Sequence, residues 1–277
     1  MSAFVLKIIA LVAMVIDHTG AAFPDSTPLE FRVIGRLTFP IFVYLLAEGF
    51  RYTRDSRKYL LRLFAFALIS QPFYDWAVTR TSNTSIVYSP WQVDFFNYTN
   101  IFYTLFLGGM AIYLYQWLGR EIAILLCGDP NKNPDTRFSN RKEPGALPIC
   151  LDSLIIAVIA ALPAIGLMWI ADFLSTDYAA YGVLFIFIMY AVNTPKWLML
   201  AVFTVMNVLQ HRGLFAFFLD SMPIPIQFYW MIPATLLTVP MIAIYNKKRG
   251  PSLKWLFYIA YPGHLAVLAG LAFILSP

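Results

Sequence analysis

The apolar positions of this chain run in blocks rather than in alternation. Windows approaching the roughly 20 residues that a helix needs to cross hydrocarbon lie near residues 4–23, 36–52, 58–78, 100–118, 149–171, 179–195, 197–211, 228–245 and 255–275. The seventh is short, which predicts a tilted or partly re-entrant segment. Barrel strands would alternate apolar and polar residues, and these blocks do not. In lipid every backbone N–H and C=O needs a partner inside the protein. The pattern therefore predicts an all-α, polytopic integral membrane protein with about nine transmembrane helices, forming one domain over 1–277. The longest polar stretch, Gly128 to Pro148, contains Asp129-Pro130-Asn131 and Asn133-Pro134-Asp135 and reads as a flexible loop. The first block carries Lys7 inside it and Asp17-His18 near its end, and no clean small-residue cleavage site follows. It is expected to be a retained helix.

Composition agrees with lipid as the main solvent. Hydrophobic residues make up 60% of the chain and charged residues 13%, against about half and a quarter in soluble domains. Too few polar side chains are present to coat a water-exposed surface, and the bacterial inner membrane is the expected location. The net charge of +5 would raise nucleic acid as a partner of a soluble protein. Here the basic residues sit in short loops, where they act as topology signals, and no nucleic-acid partner is expected. With the N-terminus inside, all but four of the 20 Lys and Arg residues fall on the cytoplasmic side, including the 128–148 loop. The exceptions are Arg32, Arg36, Arg80 and Arg212. Shifting one span destroys this bias. Aromatic residues such as Phe73, Tyr74, Trp76, Trp91, Phe95, Phe96 and Tyr98 crowd the borders, as an interfacial belt would.

Ionisable residues at membrane depth are costly, by roughly 2.5 kcal/mol or more for Asp, Lys or Arg, so each needs a reason. Lys7 and His18 are separated by about 16 Å along a helix and by only about 20° around it, so they share a face. A cation near the cytosolic entrance suits a phosphate, and a deeper imidazole suits a general base. Asp17 points about 100° away from His18 and is expected to pair with Arg36 at the start of the second span. His264 lies about 15 Å beyond Lys254, a depth that matches His18, so both imidazoles are candidates for one reaction centre. His211, beside Arg212, reads as interfacial. The Arg36 fork is suited to a carboxylate or to developing negative charge. Glu48 is expected to pair with Arg51 or Arg54.

No metal site is expected, because three histidines and two cysteines show no ligand spacing. Cys127 and Cys150 receive no role. P-loop, GxGxxG and nucleophile-elbow patterns are absent from the sequence. The basic segments Arg51–Arg62 and Lys247–Lys254 are topology determinants that also suit an anionic ligand arriving from the cytosol.

Several motifs carry a family resemblance. They are Leu6-Lys7-Ile8-Ile9-Ala10 leading to Ile16-Asp17-His18, Gly35-Arg36-Leu37-Thr38-Phe39-Pro40, Ser70-Gln71-Pro72-Phe73, Asn100-Ile101-Phe102-Tyr103, Asp177-Tyr178, Tyr245-Asn246-Lys247-Lys248-Arg249-Gly250 and Tyr258-Ile259-Ala260-Tyr261-Pro262-Gly263-His264. In order and spread the chain resembles the TraX family of membrane proteins, with a weak match over roughly 119–170. The resemblance implies an acetyltransferase of the kind linked to N-terminal acetylation of pilin. It is more distantly similar to multi-spanning acyltransferases that modify glycans. Those use a helix-1 histidine preceded by a basic residue. Lys7 stands where arginine is usual, which keeps the charge but loses the bidentate fork.

The resulting expectation is an acetyl-CoA-dependent acetyltransferase whose acceptor is an amine or hydroxyl, either a pilin or peptide N-terminus or a glycan. His18, Asp17 and His264 are the candidate catalytic residues. Lys7, Arg62, Lys247, Lys248 and Arg249 are the candidate acetyl-CoA contacts. Arg36, Gln71, Asn100 and Asp177 are the candidate acceptor contacts. Direct attack on the thioester and a ping-pong route through an acetyl-histidine are both open. The alternative function is a proton-coupled transporter, with Asp17, His18 and His264 as a relay, or a structural component of a conjugation or secretion system. Against transport, the sequence shows no two-half repeat with matched broken helices.

Overall fold

The computed structural model describes residues 1–79, 95–96, 98–127, 151–192, 195–212, 226–251 and 254–275. The 128–148 loop, Arg80, Trp91, Cys150 and the side chains of Cys127, His211 and Arg212 lie outside the described residues. Those described form helices and connections, with no strand among them: α1 (Ala3–Ala22), α2 (Glu30–Gly35), α3 (Thr38–Tyr52), α4 (Ser56–Tyr74), α5 (Ile101–Cys127), α6 (Leu151–Phe173), α7 (Ala179–Ala191), α8 (Lys196–Arg212), α9 (Ile226–Leu236), α10 (Thr238–Ala243) and α11 (Lys254–Leu275). Helix α4 runs on into one π turn, Asp75–Thr79.

Every apolar block found in the sequence coincides with helix among the described residues. Five stretches of the described residues are long and apolar enough to cross a membrane: Ala3–Ala22, Glu30–Tyr52, Ile101–Leu125, Leu154–Phe173 and Trp255–Ile274. The second joins α2 and α3, which begins the helical stretch six residues earlier than the pattern suggested. Helices α7 and α8, and the α9–α10 stretch, are apolar but shorter.

Local chemistry explains the helix ends. Ser2 Oγ accepts from the Val5 N–H at the start of α1, and Asp55 accepts from the Lys58 N–H at the start of α4, each satisfying a donor that the helix itself leaves open. The chain also closes on itself here. Ala3 N–H donates to Lys248 C=O at 2.9 Å, Phe4 N–H to Arg249 C=O at 3.2 Å, and Asn246 N–H to Met1 C=O at 2.9 Å. Helices α1 and α11 therefore set out from one end of the bundle and run the same way. Lys7 Nζ sits 5.4 Å from the Phe257 ring centre, and His18 meets His264 further along.

The core is buried where helices cross. Leu6, Phe39, Ile41, Phe185, Phe203 and Leu265 are almost fully enclosed. The outward faces of α6 and α11 instead expose Ile165, Trp169, Phe173, Val267, Phe273 and Ile274, a distribution suited to an apolar solvent. The two ends differ in charge. Lys247, Lys248 and Arg249 are exposed at the end where α1 starts. There Arg51 forms an ion pair with Glu48 at 3.1 Å, as expected, and donates to the carbonyls of Met189 and Tyr190 at 2.6 and 2.8 Å. It thereby satisfies acceptors at the C-terminus of α7.

Candidate functional site

The opposite end of the bundle gathers polar side chains from α1, α2, α4, α11 and the α6–α7 connection. His18, near the last turn of α1, and His264, halfway along α11, meet with Nδ1 of the first 2.6 Å from Nε2 of the second. The ring centroids are 4.9 Å apart and the planes differ by 6°. Stacked faces cannot bring two ring atoms this close, so the rings lie edge to edge in nearly one plane, the geometry of a hydrogen bond. The depth match inferred from helix rise is realised as direct contact.

Two tyrosines wall the pair. Tyr74 presents an edge to His18 at 6.3 Å, and Tyr261 lies 5.9 Å from His18 and 5.5 Å from His264. Tyr261 is almost fully buried and Tyr74 nearly so. Sequence reasoning placed Tyr74 in the interfacial belt, but it faces inward against His18. An aromatic residue at a segment border looks the same in sequence whichever way it points.

Asp17 leaves α1 on a different face, as its position predicts. Its partner is Arg32, with Nη1 2.9 Å from Oδ2, and not the expected Arg36. Arg32 also donates to the Asp17 carbonyl at 3.1 Å. The cause is helix α2, which the apolar pattern did not reveal. It brings Arg32 across α1 one turn before Arg36. Gly35 permits the approach: a Cβ there would lie 2.1 Å from Asp17 Oδ1. Arg36 instead hydrogen-bonds Tyr178, feels both Asp17 and Asp177, and keeps a buried Nε with no partner among the described residues.

Asp177, in the α6–α7 connection, has protein around it on most sides yet retains accessible surface, so it lines a crevice rather than packing in the core. Burial, reinforced by Asp17, pushes its carboxyl up to about 6 against the opposing pull of Arg36 and Arg32. The crevice thus holds two carboxylates and two guanidinium groups, with Tyr178 stacked on Phe39 at 3.5 Å as part of its wall.

Gln71 and Asn100 lie beside this cluster, and their amides are committed to protein partners. Asn100 Nδ2 donates to Gln71 Oε1 and to the Ala67 carbonyl, both at 2.8 Å, and its Oδ1 accepts from the Phe102 N–H at the start of α5. Gln71 Nε2 donates to Asp75 Oδ1 at 2.9 Å. They form the floor under the site and join α4 to α5.

The residues expected to meet acetyl-CoA lie elsewhere. Lys7 is on the same face of α1 as His18 but about 16 Å nearer the basic end, Lys247–Arg249 are exposed beside the start of α1, and Arg62 is exposed on α4, 5.7 Å from the Tyr59 ring centre. No group of three or more metal-ligating side chains occurs among the described residues.

A family model described as TraX protein matches residues 2–272. The chain is also 38% identical over 115 residues to a probable fimbrial assembly protein FimC, serogroup H1, of Dichelobacter nodosus, a match covering 40% of this chain and 45% of that protein. No solved structure matches significantly.

Proposed function

Since the chain belongs to the TraX family, we propose that it is a multi-pass protein of the bacterial cytoplasmic membrane that transfers acetyl from acetyl-CoA to an acceptor amine, a pilin or peptide N-terminus in the first instance. About nine spans with the N-terminus in the cytosol put the Lys247–Arg249 end inside, in accord with the distribution of Lys and Arg. Lys7, Arg62 and the Lys247–Arg249 segment attract the phosphates of the donor, whose thioester reaches along the α1 face to His18. Asp177 and Arg36 hold the acceptor in the crevice. The name of the fimbrial relative supports a pilus subunit as the acceptor.

The observation that carries this reading is the contact of two imidazoles 246 residues apart in sequence inside a largely apolar bundle. His18 takes a proton from the acceptor amine as its nitrogen attacks the thioester carbonyl. The C–S bond breaks, and His18 returns the proton to the leaving sulfur. Amide and free thiol are the products, and no redox partner is needed. Enclosure by Tyr74 and Tyr261 strengthens each polar interaction made there.

The test uses purified protein, radiolabelled acetyl-CoA and a peptide with a free or blocked N-terminus. Release of CoA is expected only with the free amine. His18→Ala is expected to retain acetyl-CoA binding and lose transfer by about 10² or more. Transfer at the wild-type rate by that variant removes His18 from the chemistry. Uptake of a solute driven by a pH gradient, without CoA release, would favour transport instead.

A further inference from the structure

The hydrogen bonds around the two imidazoles have a direction that fixes which nitrogen can act as base. His264 Nδ1 lies 2.8 Å from the Ala260 carbonyl oxygen, one turn back on α11. A carbonyl can only accept, so this nitrogen carries a proton. In a neutral ring, His264 Nε2 is then a lone pair. His18 Nδ1, 2.6 Å away, must donate to it. A neutral His18 that donates from Nδ1 leaves Nε2 unprotonated.

The other arrangement needs a cationic His264 that donates through both nitrogens. That would be a charge in an enclosed setting, and neither imidazole has a carboxylate ion-pair partner among the described residues. An unpaired charge there is strongly disfavoured. The facing side chains are Tyr74 and Tyr261, which supply no countercharge in their ordinary form.

We propose that His264 is a positioning residue that holds His18 as the Nδ1–H tautomer, with His18 Nε2 as the basic atom facing the reacting groups. This deepens the acyl-transfer reading and rests on it for its catalytic meaning. His264 exchanges no proton with substrate. Its Nε2 lone pair accepts the His18 Nδ1–H bond, which shortens when His18 becomes imidazolium and so stabilises that intermediate charge. The backbone of α11, acting through Ala260, sets the orientation of both rings. The proton from the acceptor goes to His18 Nε2 and leaves from the same atom.

The experiment combines nitrogen-15 spectroscopy of histidine-labelled protein with kinetics. With three histidines in the chain, single substitutions assign the signals. The wild-type protein is expected to show His18 Nδ1 protonated and Nε2 unprotonated. His264→Leu removes the acceptor. It is expected to mix the tautomers of His18 and to lower kcat by about 10² or more with KM for acetyl-CoA unchanged, because loss of tautomer control is costly where a histidine acts as base. His264→Gln and His264→Asn retain an accepting oxygen and are expected to stay within about tenfold of wild type. A His18 that carries its proton on Nε2, or a His264→Leu variant with wild-type kcat, overturns the proposal. Should that variant not fold, the wild-type spectrum and the His264→Gln rate still decide the question. Wild-type protein that transfers no acetyl while showing the Nδ1–H tautomer would sink the acyl-transfer reading alone.

Discussion

Asp17 is held by Arg32, 2.9 Å from guanidinium nitrogen to carboxylate oxygen, and this bond fastens α2 across the far end of α1. The Asp17 side chain is 19% exposed and that of Arg32 33% exposed, between a surface pair and a sealed one. Removing one partner is expected to cost more than a surface pair and less than a buried one, about 1–3 kcal/mol. Arg32→Ala should lower thermal stability in detergent by that amount. A double-mutant cycle with Asp17→Asn should return a coupling of about 1 kcal/mol. Additive losses would mean that the pair contributes no coupling.

Gly35→Ala is expected to be damaging and Gly263→Ala harmless. The first would press a methyl group to within 2.1 Å of Asp17 Oδ1, whereas the second has nothing within 4 Å among the described residues. Overpacking of this kind costs about 1–3 kcal/mol, and it also shifts the segment that carries His18. Alanine at 263 improves helix propensity by as much as about 1 kcal/mol. Thermal unfolding of the two variants side by side checks the contrast.

The carboxyl of Asp177, pushed up to about 6, gives stability a pH dependence of definite sign. Its folded value lies above its unfolded one, so between about 4 and 6 the folded protein binds more protons than the unfolded chain. Stability contributed through this group is therefore highest below pH 4 and falls as pH rises toward 6. Asp177→Asn should flatten that slope in unfolding measured across the range. The same titration bears on acceptor binding. An ammonium acceptor should bind more tightly as Asp177 ionises, read as KM for the peptide falling from pH 5 to 7 in wild type and not in the variant.

Asn100→Ala separates a structural role from an acceptor-binding one. Asn100 closes the start of α5 and satisfies Gln71. Its removal takes away a helix cap and leaves a buried amide short of a partner, together about 2–3 kcal/mol. The expected outcome is lower stability with an acceptor KM near wild type for the protein that remains folded. A large rise in KM without loss of stability would return Asn100 to the acceptor site.

How much of this was legible in sequence depended on the physics of each feature. Helical blocks announce themselves because lipid leaves the backbone no other solution, and every apolar block coincides with helix among the described residues. The common depth of His18 and His264 followed from helix rise, since both lie a countable distance from the same end, but their contact depends on which helices are neighbours, which rise does not give. Arg32 escaped because α2 is short and set off from α3 by Arg36-Leu37, so the apolar pattern placed Arg32 in a loop. Tyr74 and Tyr261 escaped because hydropathy does not say which side of a helix an aromatic ring faces. Gln71 and Asn100 are ambiguous in any sequence, since an amide suited to a ligand is equally suited to a helix start. Only the partners Phe102, Ala67 and Asp75 reveal the commitment.

The backbone pairing of residues 1–4 with the 244–249 segment has a consequence for biogenesis. Helix α1 leaves the ribosome long before the segment that secures it exists. A nascent chain that stops short of residue 244 has the start of its first helix unclasped, with only the far end held by Arg32, and its His18 without an imidazole neighbour. The 244–249 segment supplies the clasp and α11, directly after it, supplies the second ring, both late in synthesis, so prematurely terminated products are expected to be chemically silent rather than partly active.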